Sequence, residues 1–223
     1  MKKITSIFLA FAVVALFTVS CDTLQNTNKT QRGAGIGVAG GALIGGLIGG
    51  DIGGALIGAA IGGAAGGLIG NHMDKEADKI SEAVPGAEVK RVGEGIQVVF
   101  DDKSGVTFAL NSADLTAVAK QNLDAISEVF IEFPDTDLMI EGHTDDTGAE
   151  DYNMTLSKKR AQTVTNYFKA KGIASGRFSV KGFGETAPRF PNDSEANRSK
   201  NRRVEIGVAA NDKMIEDAKA QVN

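Results

Sequence analysis

The side chains best suited to chemistry stand together at residues 143–146, which read histidine, threonine and two aspartates. A histidine beside carboxylates could serve as a general base or as part of a metal site. The only other histidine, His72, is far away in sequence, and the single cysteine, Cys21, cannot build a cysteine-based zinc site by itself. No nucleophile motif accompanies these residues. The sequence therefore predicts no catalysis, no metal centre and no cofactor.

Charge is unevenly distributed around this segment. Residues 121–157 contain ten acids and no Lys or Arg, and Lys158, Lys159 and Arg160 follow at once. A second basic cluster near the end of the chain contains Arg198, Lys200, Arg202 and Arg203. A cationic rim beside an acidic flank would orient a charged ligand, with ordinary solvated surface as the alternative. The formal net charge of -4 argues against general nucleic-acid binding.

The elements that must position these side chains lie within residues 96–209. Helices are expected to open at residues 111–114 and near Asn153, and to end before Pro134 and Gly172. Strands are predicted at residues 97–100, 106–110, 138–143, 177–182 and 203–208. Strands that alternate with helices indicate an α/β fold, specifically an α+β sandwich with helices on one face of a mixed sheet.

Two stretches of this domain carry a family resemblance. They read EGHTDDTGAEDYNMTLSKKRAQTVTNYF and GFGETAPRFPNDSEANRSKNRRVEI. Over roughly residues 96–209 the chain resembles the OmpA-like peptidoglycan-binding domain, which the peptidoglycan-associated lipoprotein and the flagellar stator proteins share. The resemblance implies a non-catalytic domain whose ligand is the stem peptide of peptidoglycan, typically its meso-diaminopimelate. That ligand offers a free ammonium and a free carboxylate on one carbon.

The resemblance also implies roles for particular residues. Asp145 matches the family's acid on the turn and would bind the ammonium. Arg160 matches the family's arginine on the next helix and would bind the carboxylate through its bidentate guanidinium. Asn153 matches a ligand-binding position, with helix capping as the alternative. Asn111 matches a ligand-side asparagine, with turn formation as the alternative. Arg202 matches a cation near the stem carboxylates.

The N-terminus is typical of a bacterial lipoprotein. Residues 1–20 form a secretory signal, with a basic start and a short apolar run. Residues 18–21, TVSC, resemble a lipobox, which implies cleavage before Cys21 and acylation of that cysteine. Residues 21–32 are polar and are expected to act as a tether. The resemblance implies an outer-membrane location with the C-terminal domain in the periplasm, although Asp22 would favour the inner membrane under enterobacterial sorting.

Glycines recur every four residues within residues 33–71, where Ile, Leu, Val and Ala fill the other positions. Small residues at this spacing let helices approach closely in a bilayer. The segment resembles a glycine-zipper helical hairpin, and residues 51–53 are its expected turn. It is predicted to contact the bilayer and could form homo-oligomers. The alternative interpretation is a flexible linker, but flexible linkers are usually rich in serine as well as glycine.

Two short segments complete the domain plan. Residues 72–95 are expected to form a helix and a hairpin, and residues 210–223 a short amphipathic helix. The combined prediction is a structural tether between membrane and cell wall. Two alternatives remain open: a stator-like component in which Asp51 carries protons within a membrane helix, and a glycine-zipper pore.

Overall fold

The structure is a computed structural model that describes residues 51–57, 63–100, 105–106, 108 and 111–222. The predicted signal, the tether with Cys21 and most of the glycine-rich segment lie outside the described residues. The described elements, in chain order, are α1 (Ile52–Ile57), α2 (Gly63–Ala83), β1 (Glu88–Val92), β2 (Gly95–Phe100), α3 (Ala117–Glu132), β3 (Thr136–His143), α4 (Glu150–Ala170), a 3-10 turn (Ser175–Arg177), β4 (Phe178–Gly184), α5 (Glu195–Asn201), β5 (Val204–Ala210) and α6 (Asp212–Val222).

The five described strands form one mixed sheet in the order β1-β2-β5-β3-β4. Strands β3 and β4 are parallel, and the other neighbouring pairs are antiparallel. Central strand β5 is buried along its whole length because it has a neighbour on each side and helices over both faces. The predicted α/β class, with helices packed on a mixed sheet, is confirmed.

One face of the sheet packs against α3 and α4. Alternate residues of β5, Val204, Ile206 and Val208, turn to this side, as the two-residue period of a strand requires. Phe130 of α3 and Phe168 of α4 meet edge to face with ring centroids 5.5 Å apart. These helices and this sheet face form the main core, and they fix where the ends of β3 and α4 lie.

The opposite face is covered in part by α1, which lies ahead of residues 96–209 in the chain and was not part of the predicted sandwich. Ile52 and Leu56 are fully buried there against Met139 and Ala209. The predicted turn at residues 51–53 is wrong, because α1 begins at Ile52. Asp51 precedes the helix and its carboxylate accepts a hydrogen bond from the Gly54 N–H at 3.1 Å, which stabilises the helix start.

Helix α2 joins the glycine-rich segment to the domain without a break. It runs across the expected boundary between residues 71 and 72, and it buries Ala65, Ile69 and Met73 in the main core. Strand β1 likewise adds to the sheet ahead of residue 96. Among the described residues, no helix is long and apolar enough to cross a membrane.

The predicted C-terminal helix is confirmed as α6, which packs against α2. Met214 and Ala218 are buried in this contact, whereas Val222 is 43% exposed and does not face inward. The apolar stripe of α6 therefore covers the outer side of α2.

The first helix of the domain begins later than predicted. Helix α3 starts at Ala117, and the Thr116 hydroxyl caps it by accepting from the Ala119 N–H at 3.1 Å. Val118 of this helix is 54% exposed and faces away from the core. Most of the predicted 106–110 strand lies outside the described residues, and Phe108 forms an isolated bridge to Leu115.

Candidate functional site

A cleft of about 440 Å³ opens beside the end of β3. All five residues singled out from the sequence line it: Asn111, Asp145, Asn153, Arg160 and Arg202. Five further residues complete the wall: Phe108, Thr144, Thr147, Leu156 and Glu195. The cleft is therefore assembled from segments that are far apart in the chain, and it combines both charges with apolar surface.

The cleft depends on the close approach of α4 to the sheet. A side chain on Gly142 of β3 would overlap the Ser157 carbonyl oxygen, and a Cβ on Gly182 of β4 would lie 2.6 Å from Lys158 N. The Ser157 hydroxyl accepts the Gly184 N–H at 2.9 Å, which ties α4 to the end of β4. Glycines at these positions bring the helix down onto the strands, and Arg160 projects from it into the cleft.

Asp145 is 5% exposed and held from two sides. Its Oδ1 accepts the Thr147 N–H at 2.9 Å, and its Oδ2 accepts Arg202 Nη1 at 2.7 Å. Burial raises the pKa of Asp145, but the hydrogen bonds from Arg202 and Thr147 outweigh it and hold the pKa below its ordinary value. The carboxylate is therefore a fixed anion at neutral pH.

Arg202 bridges two acids. Besides Asp145, it binds Glu195 Oε1 through Nη2 at 2.8 Å. This geometry adds a role to the one expected for Arg202, because the guanidinium orients the acid of the site. Glu195 was not anticipated from the sequence, since it stands at the start of the short helix α5 and no spacing pattern connects it to residue 145.

Arg160 is the second charged group of the cleft and is 6% exposed. Its Nε donates to the Ser112 carbonyl at 3.1 Å, and its Cζ lies 5.0 Å from the centre of the Phe108 ring. An arginine packed on an aromatic ring and held through Nε presents its guanidinium plane in one orientation.

Asn153 braces the turn that carries Asp145. Helix α4 begins at Glu150, so Asn153 lies within its first turn and does not cap it. Its side-chain amide donates toward the carbonyls of Asp145 (3.3 Å) and Thr147 (3.2 Å), and to Glu185 Oε2 at 2.6 Å. Asn153 therefore does not cap α4, and that alternative is wrong. Instead, its side chain connects the turn at residues 145–147 and helix α4 to Glu185, which follows β4.

Asn111 has the backbone conformation of a turn residue. Its φ is +53°, in the left-handed region that asparagine tolerates better than most residues. The residue is exposed and lines the cleft, so turn formation and a ligand-side position are compatible.

His143 faces away from the cleft and into the opposite side of the sheet. It is 1% exposed and stacks on Phe183 with an interplanar angle of 2°. Its Nε2 lies 4.0 Å from Glu141 Oε2 and 3.8 Å from Glu205 Oε1, too far for hydrogen bonds. Burial, with a smaller effect from Arg203, lowers the pKa of His143 well below its ordinary value. The ring is neutral and contributes nothing to the cleft.

The same buried layer contains Arg203, which braces the sheet. Its Nε donates to Glu205 Oε1 at 2.6 Å and its Nη2 to the Ala187 carbonyl at 3.1 Å. Within the described part of the chain, no group of three or more His, Cys, Asp or Glu is placed to hold a metal ion.

Two sequence families match different parts of the chain. The OmpA family matches residues 107–202, and the YMGG-like Gly-zipper matches residues 1–74. The probable lipoprotein YiaD of Escherichia coli is 34% identical over 124 residues, which are 56% of this chain and 56% of that protein. The chain thus spans about half of that relative's length, and a smaller share, 37%, of outer membrane protein P5 of Haemophilus influenzae.

Two solved structures have a similar fold. A putative MotB-like protein from Desulfovibrio vulgaris aligns with a TM-score of 0.55 and 27% identity, covering 66% of this chain and 91% of that one. The cell wall anchor of the T6SS from Pseudomonas aeruginosa aligns with a TM-score of 0.52 and 28% identity, covering 62% and 96%.

One relative is covered by this chain over three quarters of its length. The peptidoglycan-associated lipoprotein of Pasteurella multocida is 33% identical over 112 residues, which are 50% of this chain and 75% of that protein. The chain belongs to the OmpA family.

Proposed function

We propose that this protein is a non-catalytic tether that links the bacterial outer membrane to the cell wall by binding the diaminopimelate-containing stem peptide of peptidoglycan. One observation carries the proposal: a buried anion, Asp145, and a buried cation, Arg160, line the same cleft. A ligand with an ammonium and a carboxylate on one carbon needs such a pair.

The cleft is suited to recognition because its charged groups are held in place before the ligand arrives. Asp145 is positioned by Thr147 and Arg202, and Arg160 by Ser112 and Phe108. Groups already in their bound orientation lose little conformational freedom on binding. The stem ammonium would bind Asp145 and its carboxylate would bind Arg160, with Asn111 at the exposed edge of the cleft and Asn153 in its buried wall.

Attachment to the membrane is the second half of the proposal. Cys21 would carry the lipid, residues 21–32 would act as the tether, and residues 33–71 would contact the bilayer. The Gly-zipper match over residues 1–74 and the lipoprotein names of two relatives support this arrangement. The domain that contains the cleft would then lie in the periplasm, against the wall.

The stator-like alternative is less well supported. It requires Asp51 within a membrane helix, but Asp51 is exposed beside α1 and its carboxylate accepts the Gly54 N–H. Helix α1 packs on the sheet through Ile52 and Leu56. A conductance measurement in liposomes separates the tether from an ion-translocating component or a pore, because only the latter two would pass ions.

Wall binding is tested by pulling down the full-length chain with purified diaminopimelate-type peptidoglycan. Asp145→Asn and Arg160→Ala should each weaken binding about ten- to a hundredfold, because each leaves one charge of the ligand unpaired. Arg160→Lys should also bind poorly, since a point charge cannot replace the planar guanidinium. Lys159→Ala, an exposed neighbour on α4, is the matched control and should bind like the parent. If both cleft variants bind like the parent while circular dichroism shows that they are folded, the ligand binds outside this cleft.

A further inference from the structure

The sheet face opposite the cleft is shaped to receive α1. A Cβ added at Gly207 of β5 would lie 3.0 Å from Ile52 Cγ2 and 3.2 Å from Ile52 Cγ1. A Cβ added at Gly95 of β2 would lie 3.1 Å from Leu56 Cγ. Glycines on two neighbouring strands therefore leave two notches, and the two buried side chains of α1 fill them.

A polar contact fixes the direction in which α1 lies. The Ile52 N–H, at the start of the helix, donates to Glu141 Oε2 at 3.1 Å, and Glu141 is 1% exposed. Glu141 belongs to β3, and its side chain lies on the same sheet face as that of His143, two residues further along the strand. A backbone N–H at a helix start is a favourable partner for a carboxylate. The two notches and this acceptor together form a receptor for one short helix.

We propose that this face is a reversible docking site for residues 51–57, and that docking there and contact with lipid are alternative states of the glycine-rich segment. The proposal rests on the membrane attachment proposed above and is independent of wall binding. Ile52 and Leu56 cannot be buried against Met139 and also lie in a bilayer. Docking would hold the domain close to the membrane, whereas release would let residues 51–57 move into lipid and the domain move away from it.

Two features make release possible. Helix α1 has six residues, two of which are the helix-weakening glycines Gly53 and Gly54. Its docking also keeps Glu141 out of water, and Glu141 Oε1 has no hydrogen-bond partner within the described part of the chain. Burial raises the pKa of Glu141 to about 8, so docking takes a polar acid out of water and leaves one of its oxygens unmatched. Both effects oppose docking, because the acid would be hydrated once α1 leaves.

The test is a disulfide between Ile52→Cys and Gly207→Cys in residues 21–223, which include every described residue. Cys21→Ser leaves these two thiols as the only ones. The small distances from Gly207 to both γ carbons of Ile52 bring the two Cβ atoms near the about 3.5–4.5 Å that a disulfide needs. Oxidation in buffer should give nearly complete crosslinking. Adding vesicles of phosphatidylethanolamine and phosphatidylglycerol should lower the initial crosslinking rate at least fivefold.

The control pair is Val118→Cys with Gly207→Cys, because Val118 is exposed on α3, which packs on the other sheet face. This pair should not crosslink in either condition. Glu141→Gln keeps an acceptor for the Ile52 N–H and removes the acid that would ionise in water once α1 leaves, so it should reduce the effect of vesicles. Circular dichroism of each reduced variant checks that the domain is folded.

Each contrary outcome has a distinct meaning. A folded Ile52–Gly207 pair that fails to crosslink in buffer overturns docking. Crosslinking that is unchanged while the chain floats with vesicles overturns the exchange with lipid. A chain that does not float with vesicles contradicts attachment through the glycine-rich segment and the exchange with it, and leaves wall binding untouched.

Discussion

Asp145 and Arg202 form a 2.7 Å ion pair inside the cleft, although 57 residues separate them in the chain. The pair opposes the effect of burial and keeps the acid ionised. Arg202 then turns its other terminal nitrogen to Glu195. A ligand ammonium that approaches Asp145 thus meets a carboxylate whose charge and orientation are already set by an arginine.

Replacing Arg202 with Gln should make wall binding sensitive to mild acid. Arg202 lowers the pKa of Asp145, so binding that needs the carboxylate persists to a lower pH in the parent. Without Arg202, fewer hydrogen bonds oppose the effect of burial, so the pKa of Asp145 rises. Binding should therefore be lost at a higher pH in Arg202→Gln. The measurement is a pull-down between pH 3 and pH 7.

Arg198→Gln is the control for that experiment, since Arg198 pairs with Glu195 at 3.2 Å, whereas the hydrogen bonds described for the Asp145 carboxylate come from Arg202 and Thr147. Its pH profile should match the parent. If Arg202→Gln also follows the parent profile, Asp145 does not depend on Arg202 for its charge.

Asn153→Ala should weaken both the fold and wall binding. The amide donates to two turn carbonyls and to Glu185, so its removal leaves acceptors without their partner. An unsatisfied buried group costs about 1–3 kcal/mol in the free energy of unfolding, which urea denaturation measures. Asn197→Ala removes an exposed amide that contacts Asp193 and should change little. A parent-like midpoint for Asn153→Ala would mean that the turn does not rely on this side chain.

Glu76→Gln should stabilise the protein at alkaline pH. Burial raises the pKa of Glu76 to about 8, and the nearby Arg177 only partly offsets this. The folded state therefore holds the proton of Glu76 more tightly than the unfolded chain does, where the pKa of a glutamate is about 4.3. The proton on Glu76 makes its full contribution to the free energy of unfolding below about pH 4.3. This contribution is lost as the pH rises through about 8, and the free energy of unfolding falls by at most about 1.4 kcal/mol per pH unit.

The comparison is between the free energies of unfolding of parent and Glu76→Gln from pH 5 to pH 9. The free energy of unfolding of Glu76→Gln should exceed that of the parent by an amount that grows with pH. The reason is that glutamine stays neutral and keeps a contact with Thr136. Glu82→Gln on the exposed side of α2 is the control. A constant difference across this range would show that Glu76 does not titrate with a raised pKa.

Much of the domain was predictable from local patterns. Strands β2, β3, β4 and β5 and helix α4 carry clear periodicity, and the turn before α4 has a specific motif. The five cleft residues could be named because the motif supplies them as a set. Their assembly in one cleft was therefore expected, while their ligand remains a prediction.

What local patterns missed depends on contacts between distant segments. The docking of α1 requires notches at Gly95 and Gly207 that become visible only when β2 and β5 are paired. The glycine-rich start of α2 looked like membrane sequence, since its apolar residues suit a protein core and a bilayer equally. The Arg202–Asp145 pair was missed because each residue already had a role assigned by resemblance.

Gly142→Ala should damage the cleft without changing any residue that lines it. An added methyl group on Gly142 would overlap the Ser157 carbonyl oxygen, which belongs to the backbone of α4 and cannot rotate away. Helix α4 must then move off the sheet, and Arg160 moves with it. Overpacking of this kind costs about 1–3 kcal/mol, which should appear as a lower urea midpoint, and wall binding should fall together with it. Gly176→Ala is the matched control, because no neighbouring atom lies within 4 Å of a Cβ there. If Gly142→Ala keeps both the stability and the binding of the parent, the close approach of α4 to β3 does not set the position of Arg160.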